Sequence, residues 1–183
     1  MQTTLYNLKK TFLLSLLVFA FGIFKVSAQN ATAEIKWLTL QEVEEAQKQT
    51  PKLVFVDLYT SWCVWCDKMN ESTFSDPNII SYINEHFYPV KFDAEGNNTV
   101  HFKGKDYALT KINNRNVHQL AWDWGSVNNR IGYPTIVVLD GQLNKIQAFP
   151  GFKDADAMKS LIHYYGDNIY QTKSWQDYLS SGK

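Results

Sequence analysis

Leu53-Val54-Phe55-Val56-Asp57-Leu58-Tyr59-Thr60-Ser61-Trp62-Cys63-Val64-Trp65-Cys66-Asp67-Lys68 joins a run that is apolar apart from Asp57 to the two cysteines of a 183-residue chain. A continuous apolar run of this length reads as a central strand covered on both faces. Two thiols separated by two residues, directly after such a strand, suggest reversible dithiol chemistry. The competing reading is an inert cross-link. By chain entropy a disulfide closing so small a loop stabilises by only about 2 kcal/mol, against about 3 kcal/mol for a fifteen-residue loop. A chain of this length can bury a core that does not need the staple. A redox-active pair is therefore the expectation, with an inert disulfide or a metal site as alternatives.

Helical spacing begins at the second cysteine. Cys66, Met69 and Thr73 would pack inward while Asp67, Lys68 and Glu71 meet water. Cys63 then stands at a helix N-terminus, where unsatisfied N–H groups and the dipole favour negative charge. That matters because the thiolate is the attacking species. A thiol pKa lowered from about 8.5 to about 7 raises the thiolate fraction at pH 7 from about 3% to about half. Intrinsic nucleophilicity falls about fivefold over the same shift, so the net gain is about threefold and positioning must contribute more. Cys63 is the expected nucleophile and Cys66 the resolving thiol. Asp57, an acid within an apolar strand, should be neutral or paired, with its pKa raised by desolvation. Alternatively it ends the buried part of the strand and meets solvent.

Towards the N-terminus, Thr39-Leu40-Gln41-Glu42 has the spacing of a capping box, which would start a helix running to about Gln49, ended by Pro51. Ile35 to Leu38 is a short strand candidate. Further back lies an export signal: Lys9 and Lys10, an apolar Thr11 to Phe24, then the small residues of Val26-Ser27-Ala28. The apolar part falls short of the roughly 20 residues that span a bilayer. Cleavage is expected after Ala28, giving a signal peptide at 1–28 and one domain at 29–183; an uncleaved anchor is the alternative. The signal holds three of the 18 basic residues and none of the 18 acidic ones, so 15 bases face 18 acids in the exported part. A net charge near −3 offers no basic footprint for nucleic acid. No apolar run after the signal is long enough to cross a membrane. An exported compartment is one where disulfides form and persist.

Towards the C-terminus, Asp76-Pro77 reads as an N-cap followed by proline at the first helical position, with Ile79, Ile80, Ile83 and Phe87 on the buried side. Phe87 to Asp93 is the next strand. Ala94 to Ile131 is rich in asparagine, which favours turns. Thr99 to Phe102 and Tyr107 to Thr110 suggest a hairpin about Lys103-Gly104, and Val117, Leu120, Ala121 and Trp124 suggest one helix. His118 lies off that stripe and is expected in solvent; His86, His101 and His163 are scattered. Thr135 to Asp140 and Lys145 to Phe149 form a hairpin about Asp140-Gly141. Met158, Leu161, Ile162 and Tyr165 mark an amphipathic helix capped by Asp154 and stopped by Gly166, and Ser174-Trp175-Gln176-Asp177 opens a last short one.

This order of elements is an α/β sandwich with a mixed sheet. From about Glu34 to Tyr165 the chain resembles the thioredoxin-like family, through Asp57, Trp62-Cys63-Val64-Trp65-Cys66 and Tyr133-Pro134-Thr135. Trp62 to Pro77, including Thr73-Phe74-Ser75-Asp76-Pro77, is similar to the periplasmic C-terminal domain of the membrane electron transporter DsbD. The resemblance implies a thioredoxin-like fold, with Ala94 to Ile131 as an insertion before the strand that follows a cis proline. It implies that Asp57 moves protons to and from Cys66, and that Pro134 faces the cysteines and exposes backbone to an extended substrate. Trp62, Val64, Trp65 and Tyr133 would rim that site. Lys91 would be a charge partner of Asp57 by analogy, although a solvated strand-end lysine is the preferred reading; Trp37, Trp124 and Trp175 are read as core.

The function expected from these features is thiol–disulfide exchange, in the reducing direction, in the periplasm or cell envelope or as a secreted protein. The uncharged Val64-Trp65 points to a reducing or intermediate potential, since a histidine there would favour a strong oxidant. The partners would be protein thiols and disulfides and an upstream membrane electron donor. A disulfide oxidase or isomerase, or a non-catalytic thioredoxin-fold binding module, are the alternatives. No cofactor or metal is expected: zinc needs about four ligands, and Asp67 stands where covalent haem attachment needs histidine. A copper site using both thiols and a distant histidine is a minor alternative. Asn30, Asn70 and Asn97 begin glycosylation sequons relevant only to a eukaryotic secretory route.

Overall fold

Strand β1 (Leu53–Tyr59) is the axis of the domain: five consecutive residues, Val54 to Leu58, are buried. It lies between β2 (Phe87–Asp93), to which it is parallel, and β7 (Thr135–Leu139), to which it is antiparallel; β8 (Lys145–Pro150) completes the order β2-β1-β7-β8. The structure, a computed structural model, describes residues 34–181. The export signal expected at 1–28 and its cleavage after Ala28 lie outside the described residues. No helix among the described residues is long and apolar enough to cross a membrane.

Successive side chains of β1 alternate between two apolar clusters, as the two-residue period of a strand requires. Val54, Val56 and Leu58 face α1 (Leu40–Gln49) and α4 (Gln119–Gly125), together with Val90, Phe92, Val137 and Leu139. Phe55 faces α2 (Val64–Ser72), α3 (Pro77–His86) and α5 (Ala155–Gly166), against Met69, Ile79, Ile83, Met158 and Leu161. The insertion contributes Phe102, Val117, Leu120, Trp124 and Ile131 to the first cluster and no residue to the second. Gly125 lets the two layers close: a Cβ there would come within 2.5 Å of Leu58 Cδ1.

The local signals for the helices hold. Thr39 and Glu42 make the reciprocal capping box at the start of α1. Asp76 caps α3 with Pro77 in its first turn, and Asp154 caps α5. Ser174 caps α6 (Trp175–Ser180), and a 3₁₀ turn, Ile169–Gln171, precedes it.

Several expectations need correction. Ile35 to Leu38 is not a strand: Trp37 N–H turns back to the Ile35 carbonyl, and a single bridge joins Leu38 to Val90. The insertion holds two hairpins rather than one. β3 (Val100–Phe102) pairs with β4 (Lys105–Tyr107) about Lys103-Gly104, and β5 (Leu109–Ile112) pairs with β6 (Arg115–His118) about Asn113-Asn114. Val117 belongs to β6, so α4 starts two residues later. His118 is not in solvent but 1% exposed, and its Nδ1 accepts the Leu120 N–H as the N-cap of α4. Trp124 is core; Trp37 and Trp175 are half-buried at its margin.

Candidate active site

The chain leaves β1 at Tyr59 and turns through Thr60-Ser61-Trp62 into α2, with Cys63 as the N-cap. Cys63 N–H donates to the Thr60 carbonyl at 3.2 Å, which fixes the turn. Cys63 and Cys66 form a disulfide, with their Cα atoms 5.2 Å apart. The Cys66 N–H, which donates to the Cys63 carbonyl at 2.9 Å, also lies 3.1 Å from Cys63 Sγ, so the first sulfur shares a donor of the first helical turn. Both cysteines are buried, at 4% and 3% exposure, whereas their neighbours Trp62, Val64 and Trp65 are 63%, 76% and 55% exposed. A sunken disulfide is thus surrounded by protruding apolar groups.

Two aromatic walls stand beside it. Trp62 meets Tyr133 edge to face at 6.1 Å, and its indole N–H donates to Glu95 Oε2 at 2.8 Å. Trp65 meets Phe152 at 5.5 Å, with the Lys68 ammonium 5.1 Å from the Trp65 ring centre and 5.8 Å from that of Phe152. The Tyr133–Pro134 peptide bond is cis. Pro134 is buried; its carbonyl accepts the Gly151 N–H at 2.8 Å, and Thr135 Oγ1 donates to the Gly132 carbonyl. Burial and the Glu95 charge push the Tyr133 hydroxyl up to about 12, so the phenol is neutral at any physiological pH. The Lys153 ammonium donates to the carbonyls of Pro150 and Gly151, and Thr73 Oγ1 to the Lys153 carbonyl, which ties this loop to the end of α2.

Asp57 does not reach solvent: it is 1% exposed, on the face of β1 that carries Phe55 towards α2. Its Oδ1 has no hydrogen-bond partner among the described residues. Desolvation pushes its carboxyl up to about 7, against the opposing pull of the Lys91 ammonium. Lys91 is not a solvated strand-end residue. It sits within β2 opposite Asp57 in the parallel register, half-buried, donating to Asn70 Oδ1 at 2.7 Å. The rings of Tyr59 and Trp37 lie 5.3 and 5.6 Å from its ammonium. These neighbours hold the cation beside Asp57 without forming an ion pair within 4.0 Å.

The structure therefore brings Trp62, Val64 and Trp65 around the cysteines and joins Tyr133 to them through Trp62. It places Asp57 in the wall of the sheet beneath α2. Glu95 and Phe152 join this region with no sequence signal, and Lys91, expected beside Asp57 only by analogy, does lie in it. No motif marks Glu95 or Phe152, because each arrives from a distant part of the chain. Lys91 depends on a strand register that one sequence does not reveal. Among the described residues, no group of three or more histidine, cysteine, aspartate or glutamate side chains is arranged to hold a metal ion.

A family model described as a thioredoxin-like domain matches residues 40–166. A thiol:disulfide interchange protein DsbD from Cronobacter sakazakii is 28% identical over 146 residues, covering 78% of this chain and 22% of that protein. The chain spans between 11% and 22% of the length of such curated relatives. A thioredoxin-fold protein from Helicobacter pylori superposes with a TM-score of 0.53 at 20% identity, covering 72% of this chain and 80% of that one. A structure described as DsbH oxidoreductase gives 0.53 at 19% identity, covering 82% and 94%.

Proposed function

Because the chain belongs to the thioredoxin-like family of thiol–disulfide oxidoreductases, we propose that it is an exported member that reduces protein disulfides. The carrying observation is the buried Cys63–Cys66 pair at the N-terminus of α2, with a carboxyl of raised pKa in the strand beneath it.

The reduced protein begins the cycle. The Cys63 thiolate is stabilised by the Cys66 N–H and the helix N-terminus. It attacks one sulfur of a target disulfide; that S–S bond breaks, a mixed disulfide forms, and the first target sulfur leaves as a thiolate. The Asp57 carboxylate takes the proton of Cys66, whose thiolate then attacks Cys63 Sγ. The Cys63–Cys66 disulfide closes, the second target thiolate departs, and two electrons have passed to the target. A pKa near 7 suits a group that must both accept and return a proton near neutrality. The apolar rim of Trp62, Val64, Trp65 and Tyr133 favours a flexible polypeptide with apolar side chains.

The reducing direction is supported by what stabilises the reduced form. A strong oxidant owes its potential to a stabilised thiolate, and Val64-Trp65 brings no cation to Cys63. A reductant outside the cytosol must be recharged, so a membrane dithiol donor is the required partner. The DsbD relatives fit this scheme, and the signal expected at 1–28 fits delivery to the periplasm or cell envelope.

Three measurements test it. The oxidised protein, once reduced, should catalyse reduction of insulin by dithiothreitol; an inert binding module would not. Cys66→Ser should accumulate mixed disulfides, whose captured partners identify the substrates. Equilibration with glutathione should place the midpoint well below −120 mV, the value of the strongest oxidants; a midpoint near that figure overturns the reducing direction in favour of an oxidase.

A further inference from the structure

The insertion carries the same three residues twice, Asn113-Asn114-Arg115 and Asn128-Asn129-Arg130. All four asparagines have positive φ, between 51° and 63°. Asparagine tolerates this conformation better than most residues, and two in succession make the tight turn whose twist matches a hairpin. The first pair closes β5 onto β6, and the second closes the Val127–Arg130 bridge. Each turn therefore delivers an arginine at the same place, immediately after the reversal. Asn113 Nδ2 donates to the Asn129 carbonyl at 3.5 Å, which joins the two turns to each other.

Both arginines line one hollow of about 530 Å³, with Trp122 and Ile131. A second hollow of about 440 Å³ shares Arg115, Trp122 and Ile131 and reaches Trp62, Tyr133 and Glu95 beside the cysteines. The two adjoin through these shared residues and together run from Trp62 and Tyr133, which flank the cysteine pair, out over the insertion. Its inner part is walled by aromatic rings, and the Glu95 carboxylate there already accepts the Trp62 indole N–H. Its outer part holds two guanidinium groups and no acidic residue. Neither arginine takes part in any of the four ion pairs among the described residues. Guanidinium groups match carboxylates in geometry as well as charge.

The geometry points to a specificity cleft for polypeptides in which an apolar residue follows the reactive cysteine and acidic residues lie beyond it. The apolar side chain packs on Trp122 and Tyr133, and the acidic side chains reach Arg115 and Arg130. The occupant is a polypeptide because Trp62 and Tyr133, which rim the site of thiol–disulfide exchange, also wall the inner hollow. This inference rests on the oxidoreductase reading and adds the charge of the substrate to it.

The test uses the reduced protein and two peptide disulfides of equal length, differing only in carrying glutamates or lysines beyond the apolar residue. Rates are normalised to that with uncharged hydroxyethyl disulfide. The glutamate peptide should exchange about fivefold faster than the lysine peptide, the size expected for exposed charge pairs of this number, and added salt should shrink the ratio. Arg115→Glu and Arg130→Glu should each lower the ratio, and the double variant should invert it. A ratio near one in the unaltered protein, or one that both variants leave unchanged, overturns the cleft while the oxidoreductase reading stands. No exchange even with hydroxyethyl disulfide overturns both.

Discussion

Replacing Asp57 by asparagine removes the ionisable group from the middle of β1 while keeping its size. In the folded, oxidised protein the carboxyl titrates near 7 rather than 3.8, because burial penalises its charge more than Lys91 favours it. A shift of about three units corresponds to about 4 kcal/mol. The sign follows from proton counting. Between the two pKa values the folded state holds a proton that the unfolded state has released, so the slope of stability with pH is negative. The contribution is present in full below pH 4, falls through the interval, and is gone above the folded pKa near 7. The asparagine variant has no such proton to lose. Urea unfolding of both oxidised proteins from pH 4 to pH 8.5 should therefore show Asp57→Asn gaining on the parent by about 4 kcal/mol, or about 2 M in midpoint at a slope of about 2 kcal/mol per M. A difference that stays constant over that range would mean that the carboxyl titrates normally, and its role as a poised proton acceptor would fall with it.

Lys91→Met removes the cation that holds the Asp57 carboxyl down, so the interval of declining stability should extend to higher pH, as the same titration would detect. Gly125→Ala brings a methyl group against buried Leu58 and should cost about 1–3 kcal/mol in urea unfolding, with the disulfide still able to form. His118→Ala removes a buried N-cap from α4 and should cost about 2 kcal/mol. Amide exchange should show the loss as faster exchange concentrated in α4 and the insertion.

What could be read from the sequence was local. The capping box at Thr39, the N-caps at Asp76 and Asp154, the apolar run of β1 and the turn about Asp140 each depend on neighbouring residues, and each stands in the structure. Errors arose where two periodicities shared residues. Val117, Leu120, Ala121 and Trp124 fit a helical stripe, yet Val117 is buried as a strand residue of β6 and the others as one side of α4. The asparagine pairs signalled turns, but only the backbone shows that Asn113-Asn114 reverses a hairpin. Ile35 to Leu38 has a strand-like pattern, but its backbone turns back at Trp37 and pairs with β2 only through Leu38. Within the site, the cysteines, the tryptophans and Asp57 lie in one stretch of sequence and were legible together. Glu95, Lys91 and Phe152 join them through tertiary contacts that no spacing records.

The two sides of the sheet divide the labour between them. The cluster under α2, which supports the cysteines, draws no residue from 94–131; the insertion is anchored wholly in the other cluster. Mutations that remodel the hairpins and their arginines therefore do not repack the layer that fixes the dithiol. A lineage built this way can vary the insertion without repacking the layer beneath the dithiol, and a protein engineer could exchange the insertion between relatives on the same terms, provided the Trp62–Glu95 hydrogen bond is kept.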